Sequence, residues 1–216
     1  MSRDQEPDPH PDDGDIVRFA ELPLAPWRNG AGVTREVAVD GSGGQDFEWR
    51  ISIADVNVAG PFSAFPGVDR SITLLDGERM DLLIDGLEQV LGPHETLTFD
   101  GGSQTSCTLP FGPTRDLNVM TRRHRRSAVV ATADLSETLP ISVAVNEVLL
   151  LLYGLAIVRS EDGRRAVLRP LDAVRPTGPV IRQVTGSGRV AVVLIQSPGR
   201  AMQQVYPSKA DLQQGQ

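Results

Sequence analysis

The dipeptide Asp-Gly recurs through this chain, at Asp40-Gly41, Asp76-Gly77, Asp85-Gly86, Asp100-Gly101 and Asp162-Gly163. Both residues tolerate positive φ, which tight hairpin reversals require. Around these dipeptides lie short runs of β-type composition, which predict strands over 34–39, 47–54, 71–75, 80–84, 87–91, 97–99 and 117–121. A second series follows at 127–132, 141–145, 148–152, 156–159, 166–168, 180–184 and 190–196. No window carries an apolar stripe of helical period with caps at both ends. Short, evenly spaced strands separated by turn residues predict an all-β sandwich or barrel.

The chain has 216 residues. At roughly 100 ordered residues per half, two small barrels are expected rather than one. The reading places an acidic disordered tail at 1–15, a first barrel at 16–130, a second at 131–207 and a flexible end at 208–216. The segment Ala131–Leu139 reads as the connector, with strand exchange across it left open. The tail lacks the apolar surface needed to offset its ordering entropy.

The net charge is -7, but residues 1–15 carry six acids and one base, which leaves 22 acids and 20 bases for the rest. A body so balanced has no large positive field, so nucleic acid is not an expected partner. Cys107 is the only cysteine, so no intrachain disulfide can form, in keeping with a reducing compartment. The N-terminus shows no basic and apolar secretory pattern. The longest apolar run, Val148–Val158, is interrupted by Gly154 and falls short of the ~20 residues that span a bilayer. A soluble, cytoplasmic protein with no membrane partner is expected.

Four segments stand apart from ordinary strand and turn: Pro26–Val37 (PWRNGAGVTREV), Phe47–Ala54 (FEWRISIA), Gly60–Leu75 (GPFSAFPGVDRSITLL) and Gly112–Arg122 (GPTRDLNVMTR). In this order they resemble the HutD/Ves family, whose members carry WRNGxGxTxE, F-WR-S-A, GPFSxFPGxDR and DxNxMxR stretches. The likeness is carried by the first half of the chain; the second half follows in length and strand rhythm. The resemblance implies a cupin-like double-stranded β-helix doubled within one chain, a bicupin. It implies an accessory or regulatory protein of histidine utilisation that binds a pathway metabolite such as formylglutamate or urocanate. Ves-type members are linked loosely to stress responses. The resemblance implies no particular reaction.

Strand periodicity nominates the site. Along 47–54, Phe47, Trp49, Ile51 and Ile53 share one face while Glu48, Arg50, Ser52 and Ala54 share the other. Periodicity alone leaves open which face is interior; the resemblance favours a lumen for Arg50 and Ser52. Arg70 opens the run 71–75, Asp116 and Asn118 share a face of another strand, and Thr34 and Glu36 share a face of a third. Asn29 lies in the glycine-rich Trp27–Gly32 turn, whose amides either face an anion or only reverse the chain. The candidate ligand-binding set is therefore Asn29, Thr34, Glu36, Arg50, Ser52, Arg70, Asp116 and Asn118. The guanidinium fork matches a carboxylate. Charge-assisted bonds of about 1.5–3 kcal/mol each would bring two arginines and polar donors to micromolar affinity.

No metal and no cofactor are expected. The histidines are His10 in the acidic tail and two isolated residues, His94 and His124, the latter flanked by Arg122, Arg123, Arg125 and Arg126. That basic run is expected to pair with acids, since no aromatic residues interleave with it to stack on bases. Ser63 has no Gly-x-Ser-x-Gly elbow around it and is not nominated as a nucleophile. Two other functions remain open beside metabolite binding. One is a metal-independent isomerase or hydrolase with Glu36 or Asp116 as base; the other is an interaction scaffold. A homodimer would cover exposed β edges.

Overall fold

The computed structural model describes residues 14–43 and 46–197. Residues 1–13 of the expected tail at 1–15, with His10, and the expected flexible end at 208–216 lie outside the described residues. Within them the chain is all-β: strands β1 to β17 follow one another with a single 3-10 turn, Phe19–Glu21, and no α-helix. No helix of the described residues is long and apolar enough to cross a membrane.

The chain divides into two compact units. Among the described residues, one comprises Pro23–Val129 with 195–197, and the other comprises 14–22 with Val130–Leu194. Residues 14–22 therefore cluster with Val130–Leu194. Strand β1 (Ile16–Val17) pairs antiparallel with β16 (Ala173–Val174).

In the Pro23–Val129 unit a six-stranded sheet runs in the order β2 (Ala25–Pro26), β3 (Gly32–Gly43), β4 (Asp46–Val56), β11 (Thr114–Arg122), β6 (Val68–Asp76) and β9 (Thr96–Asp100). A four-stranded sheet runs β5 (Gly60–Pro61), β10 (Thr105–Thr108), β7 (Met80–Ile84) and β8 (Leu87–Leu91). Ala54, Val56, Ile72, Leu74 and Phe99 from the first sheet form one buried cluster with Met80, Leu82, Leu91 and Cys107 from the second. The larger sheet's inner face is thus the one bearing the even-numbered residues of β4, and Ile51, Ile53, Leu117 and Val119 on its other face are buried as well. Cys107 is a free thiol whose burial raises its pKa.

A seven-stranded sheet, formed mostly by residues of the other unit, follows β1, β16, β14 (Glu147–Arg159), β17 (Arg182–Gln196) and β12 (Ser127–Asp134), with β13 (Ile141–Val143) on β17 and β15 (Arg165–Leu168) on β14. The sequence predicts four separate runs at 148–152, 156–159, 180–184 and 190–196; instead β14 and β17 are two long strands paired from Glu147↔Leu194 to Arg159↔Gln183. Glycines permit this. A Cβ on Gly154 would meet Ser187 O at 2.0 Å, and one on Gly188 would meet Tyr153 O at 2.0 Å. Both have positive φ, so glycine is a strand residue here rather than a turn signal.

The turn dipeptides divide in the same way. Asp85 and Gly86 have φ of 48° and 84° between β7 and β8, as a two-residue hairpin requires. Asp40-Gly41 is no reversal: β3 continues through it to Gly43, with a register shift at that point.

Asp15, read from sequence as the last residue of the acidic tail, is 2% exposed. Its Oδ2 lies 2.6 Å from Arg182 Nη2, and its Oδ1 accepts from the Thr177 amide and hydroxyl. A carboxylate fixed by three donors is part of the core.

A polar row on the inner face of the larger sheet

Antiparallel register decides which candidates share a face. Asn118 of β11 stands opposite Ser52 of β4 and Ile72 of β6, and Ser52 stands opposite Glu36 of β3. One step along, Met120 separates Arg50 from Arg70, and Arg70 stands opposite Phe99. One step the other way, Asp116 lies between Ala54 and Leu74, and Ala54 faces Thr34. Seven candidates, Thr34, Glu36, Arg50, Ser52, Arg70, Asp116 and Asn118, therefore occupy one face, the face that carries the inner core residues.

Arg70 is the most enclosed cation of the row. It is 5% exposed, its Nε donates to Asn118 Oδ1 at 3.1 Å, and its guanidinium carbon sits 4.8 Å from the Phe62 ring centroid and 5.7 Å from that of Phe99. Its two Nη groups make no hydrogen bond to any described residue. Burial lowers its pKa to about 10, so it stays charged at neutral pH.

Arg50 is less enclosed and already balanced: its Nε lies 3.0 Å from Glu36 Oε2, although the angle does not make a hydrogen bond. Asp116 is 1% exposed and its Oδ1 has no hydrogen-bond partner. Burial pushes its carboxyl up to about 7, against the smaller opposing pull of Arg70. Asp116 and Arg70 form no ion pair among the described residues, and Asn118 stands between them in register.

Asn29 does not join the row. It is exposed in the turn before Gly30, and its Oδ1 accepts from the Ala31 amide at 3.1 Å. Trp27 of the same segment reaches the site's edge: its Nε1 donates to Thr34 Oγ1 at 2.8 Å, and its ring meets Phe62 edge-on at 6.0 Å. Thr34 is thus held in place by Trp27. Ser63 is exposed, while its neighbours Phe62 and Phe65 pack inward.

Phe62 and Phe99 flank the buried guanidinium and were not nominated from sequence. Phe99 becomes visible as a site residue only through the β6–β9 register, and Phe62 only through the turn that carries it.

The basic run is engaged by neighbours. Arg123 Nε lies 2.7 Å from Asp69 and its Nη2 lies 2.8 Å from Asp100; Arg125 meets Glu48 at 2.7 Å, and the Arg122 guanidinium lies over Phe47 at 5.5 Å. Nowhere among the described residues do three of His, Cys, Asp and Glu gather as metal ligands would. His94 and His124 both sit at positive φ in turns.

These sheets have the architecture of cupin-like proteins. A cupin 2 conserved barrel domain protein from Leptotrichia buccalis superposes with a TM-score of 0.59 at 10% identity, over 86% of this chain and 97% of that one, a likeness of fold alone. The HutD family model matches residues 20–193, and the chain belongs to that family. HutD from Pseudomonas fluorescens SBW25 superposes with a TM-score of 0.70 at 32% identity, over 85% of this chain and 98% of that one. Protein Ves from Citrobacter koseri is 45% identical over 116 residues, 53% of this chain and 61% of that protein. The matches span between 56% and 64% of the length of the curated relatives.

Proposed function

We propose that this chain is an accessory or regulatory protein that binds a small carboxylate metabolite, such as formylglutamate or urocanate, on the inner face of β3, β4, β11 and β6. The observation that carries the reading is Arg70: a buried guanidinium, oriented by Asn118 and two phenyl rings, whose Nη groups meet no acceptor in the described protein. The Nη groups are not among the fully buried side-chain atoms that lack a partner, so they stay reachable by a ligand, and a carboxylate supplies two acceptors in the geometry the fork requires. Ser52 and Asn118, beside it on the same face, supply further polar contacts. The site needs no metal in this reading, and membership of the HutD family supports a role in histidine utilisation. Each half is read as a cupin-like barrel, and the protein as cytoplasmic.

Thermal unfolding with formate, formylglutamate and urocanate tests the proposal. A ligand at a hundred times its Kd adds about 2.7 kcal/mol, a rise of several degrees for a chain of this size. A flat response to all three acids would remove the support for it.

Asp116 favours a second reading, a metal-independent isomerase or hydrolase acting on a small carboxylate. A carboxyl brought to about 7 lies where a general acid or base works best. Recovery of the bound acid unchanged after long incubation with concentrated protein would exclude it for that acid.

A further inference from the structure

Resting on the carboxylate reading above, we propose that the site binds its anion together with a proton, and that Asp116 is the group that receives it. The argument begins with charge. Among the candidate residues, the inner face brings together two cations, Arg50 and Arg70, and two acids, Glu36 and Asp116. Arg50 and Glu36 neutralise each other at 3.0 Å toward the more exposed end of the row. Arg70 and Asp116 are both deeply buried and not in contact, so each ionised group is a separate charge in the interior.

With Asp116 ionised, Arg70 and Asp116 balance at a distance. A carboxylate docking on the Arg70 fork would then leave one uncompensated negative charge inside the unit, which a low-dielectric interior disfavours. Protonation of Asp116 restores balance without moving any other group. It also turns an acceptor-only side chain, whose Oδ1 has no partner, into an O–H donor suited to an anion.

The other groups around Asp116 act consistently. Asp55, on the paired strand β4, adds negative charge that favours the protonated form. Cys107 on β10 faces the pair as a neutral thiol whose pKa is raised by burial. Arg70 on β6 favours ionised Asp116, and an anion docked on Arg70 would cancel that effect. Each ligand-induced change therefore moves Asp116 toward protonation.

Titration calorimetry on the full chain tests this, with formate and formylglutamate as probes between about pH 6 and about pH 9, where their carboxylates do not titrate. Paired buffers of different ionisation heat count the protons. The expected result is uptake approaching one proton per anion at about pH 8, with affinity falling about tenfold per pH unit above 7. In Asp116→Asn the slope should vanish. Binding with no proton uptake, or a slope that persists in Asp116→Asn, overturns this inference while leaving the carboxylate site standing. No binding of either acid at any pH overturns the carboxylate reading, and this inference falls with it. Should Asp116→Asn fail to fold, the proton count on the unsubstituted protein decides.

Discussion

Arg70 and Asn118 are joined across the β6–β11 pair by a single hydrogen bond, Nε to Oδ1 at 3.1 Å, and this bond sets the plane of the guanidinium. Phe62 and Phe99 at 4.8 and 5.7 Å hold the group from its sides. An arginine positioned by its Nε and its faces keeps its Nη pair available for a planar, two-oxygen ligand.

Arg70→Lys separates charge from shape. Lysine keeps the positive charge but loses both the fork and the Nε contact to Asn118. Loss of one charge-assisted bond of about 1.5–3 kcal/mol should weaken formylglutamate binding by about tenfold or more, read by calorimetry. Retained far-UV circular dichroism would show that the sheet persists. Unchanged affinity would mean that the anion docks elsewhere.

Asp116 should give the fold a recognisable pH dependence even without ligand. Its native pKa is raised to about 7, whereas an unfolded aspartate titrates at about 3.9. Between those values the native state holds the proton and the unfolded state releases it, so stability falls as pH rises from about 4 to about 7 and levels off above. The total is of the order of 2–4 kcal/mol. Urea midpoints across that range should show this slope in the unsubstituted protein and a flatter profile in Asp116→Asn. Parallel profiles would remove the burial argument.

Much of this site was legible as period-two alternation and little of it as assembly. The even-numbered residues Arg50 and Ser52 share a face in any strand drawn over 47–54, and Asp116 and Asn118 do so over their own. That these faces are the same face depends on register between β4, β11 and β6, which no single strand encodes. In the fold, Asp85-Gly86 reads as a hairpin and is one, whereas Asp40-Gly41 reads as a hairpin and lies inside β3. Strand β10 went unseen because Thr105-Ser-Cys-Thr108 carries no β-branched apolar run, although Cys107 reaches the core. Glycine misled most where strands meet at 2.0 Å, since sequence cannot distinguish a residue that bends the chain from one that lets two backbones touch.

Gly188→Ala tests that last point. The new Cβ would lie 2.0 Å from Tyr153 O, and the φ of 130° is unfavourable for any side chain. Both strain and the forced separation of β14 from β17 act against the native state, at about 3 kcal/mol or more. Gly163→Ala is the contrast: its φ of 86° strains the new residue, but nothing lies within 4 Å of the added carbon, so the loss should be about 1–2 kcal/mol. Equal losses in chemical denaturation would mean that φ alone, and not contact, reserves these positions for glycine.

Two ion pairs of the same length complete the case that burial, not distance, sets the value of a charge contact. Arg182–Asp15 and Arg164–Asp162 both measure 2.6 Å, but the first pair's side chains are 9% and 3% exposed and the second's 43% and 52%. Asp15 also accepts two bonds from Thr177, so Asp15→Ala removes a carboxylate from a buried cation and leaves two donors without their acceptor. The expected loss is about 3 kcal/mol or more. Asp162→Ala, in a solvated hairpin, should leave the unfolding midpoint unchanged within error. Because Asp15 directly precedes β1 and its carboxylate is tied to Thr177, three residues beyond β1's partner strand β16, its replacement should also speed amide exchange at Ile16 and Val17, which Asp162→Ala should not. A small effect of Asp15→Ala on both readouts would return this residue to the acidic tail where the sequence places it.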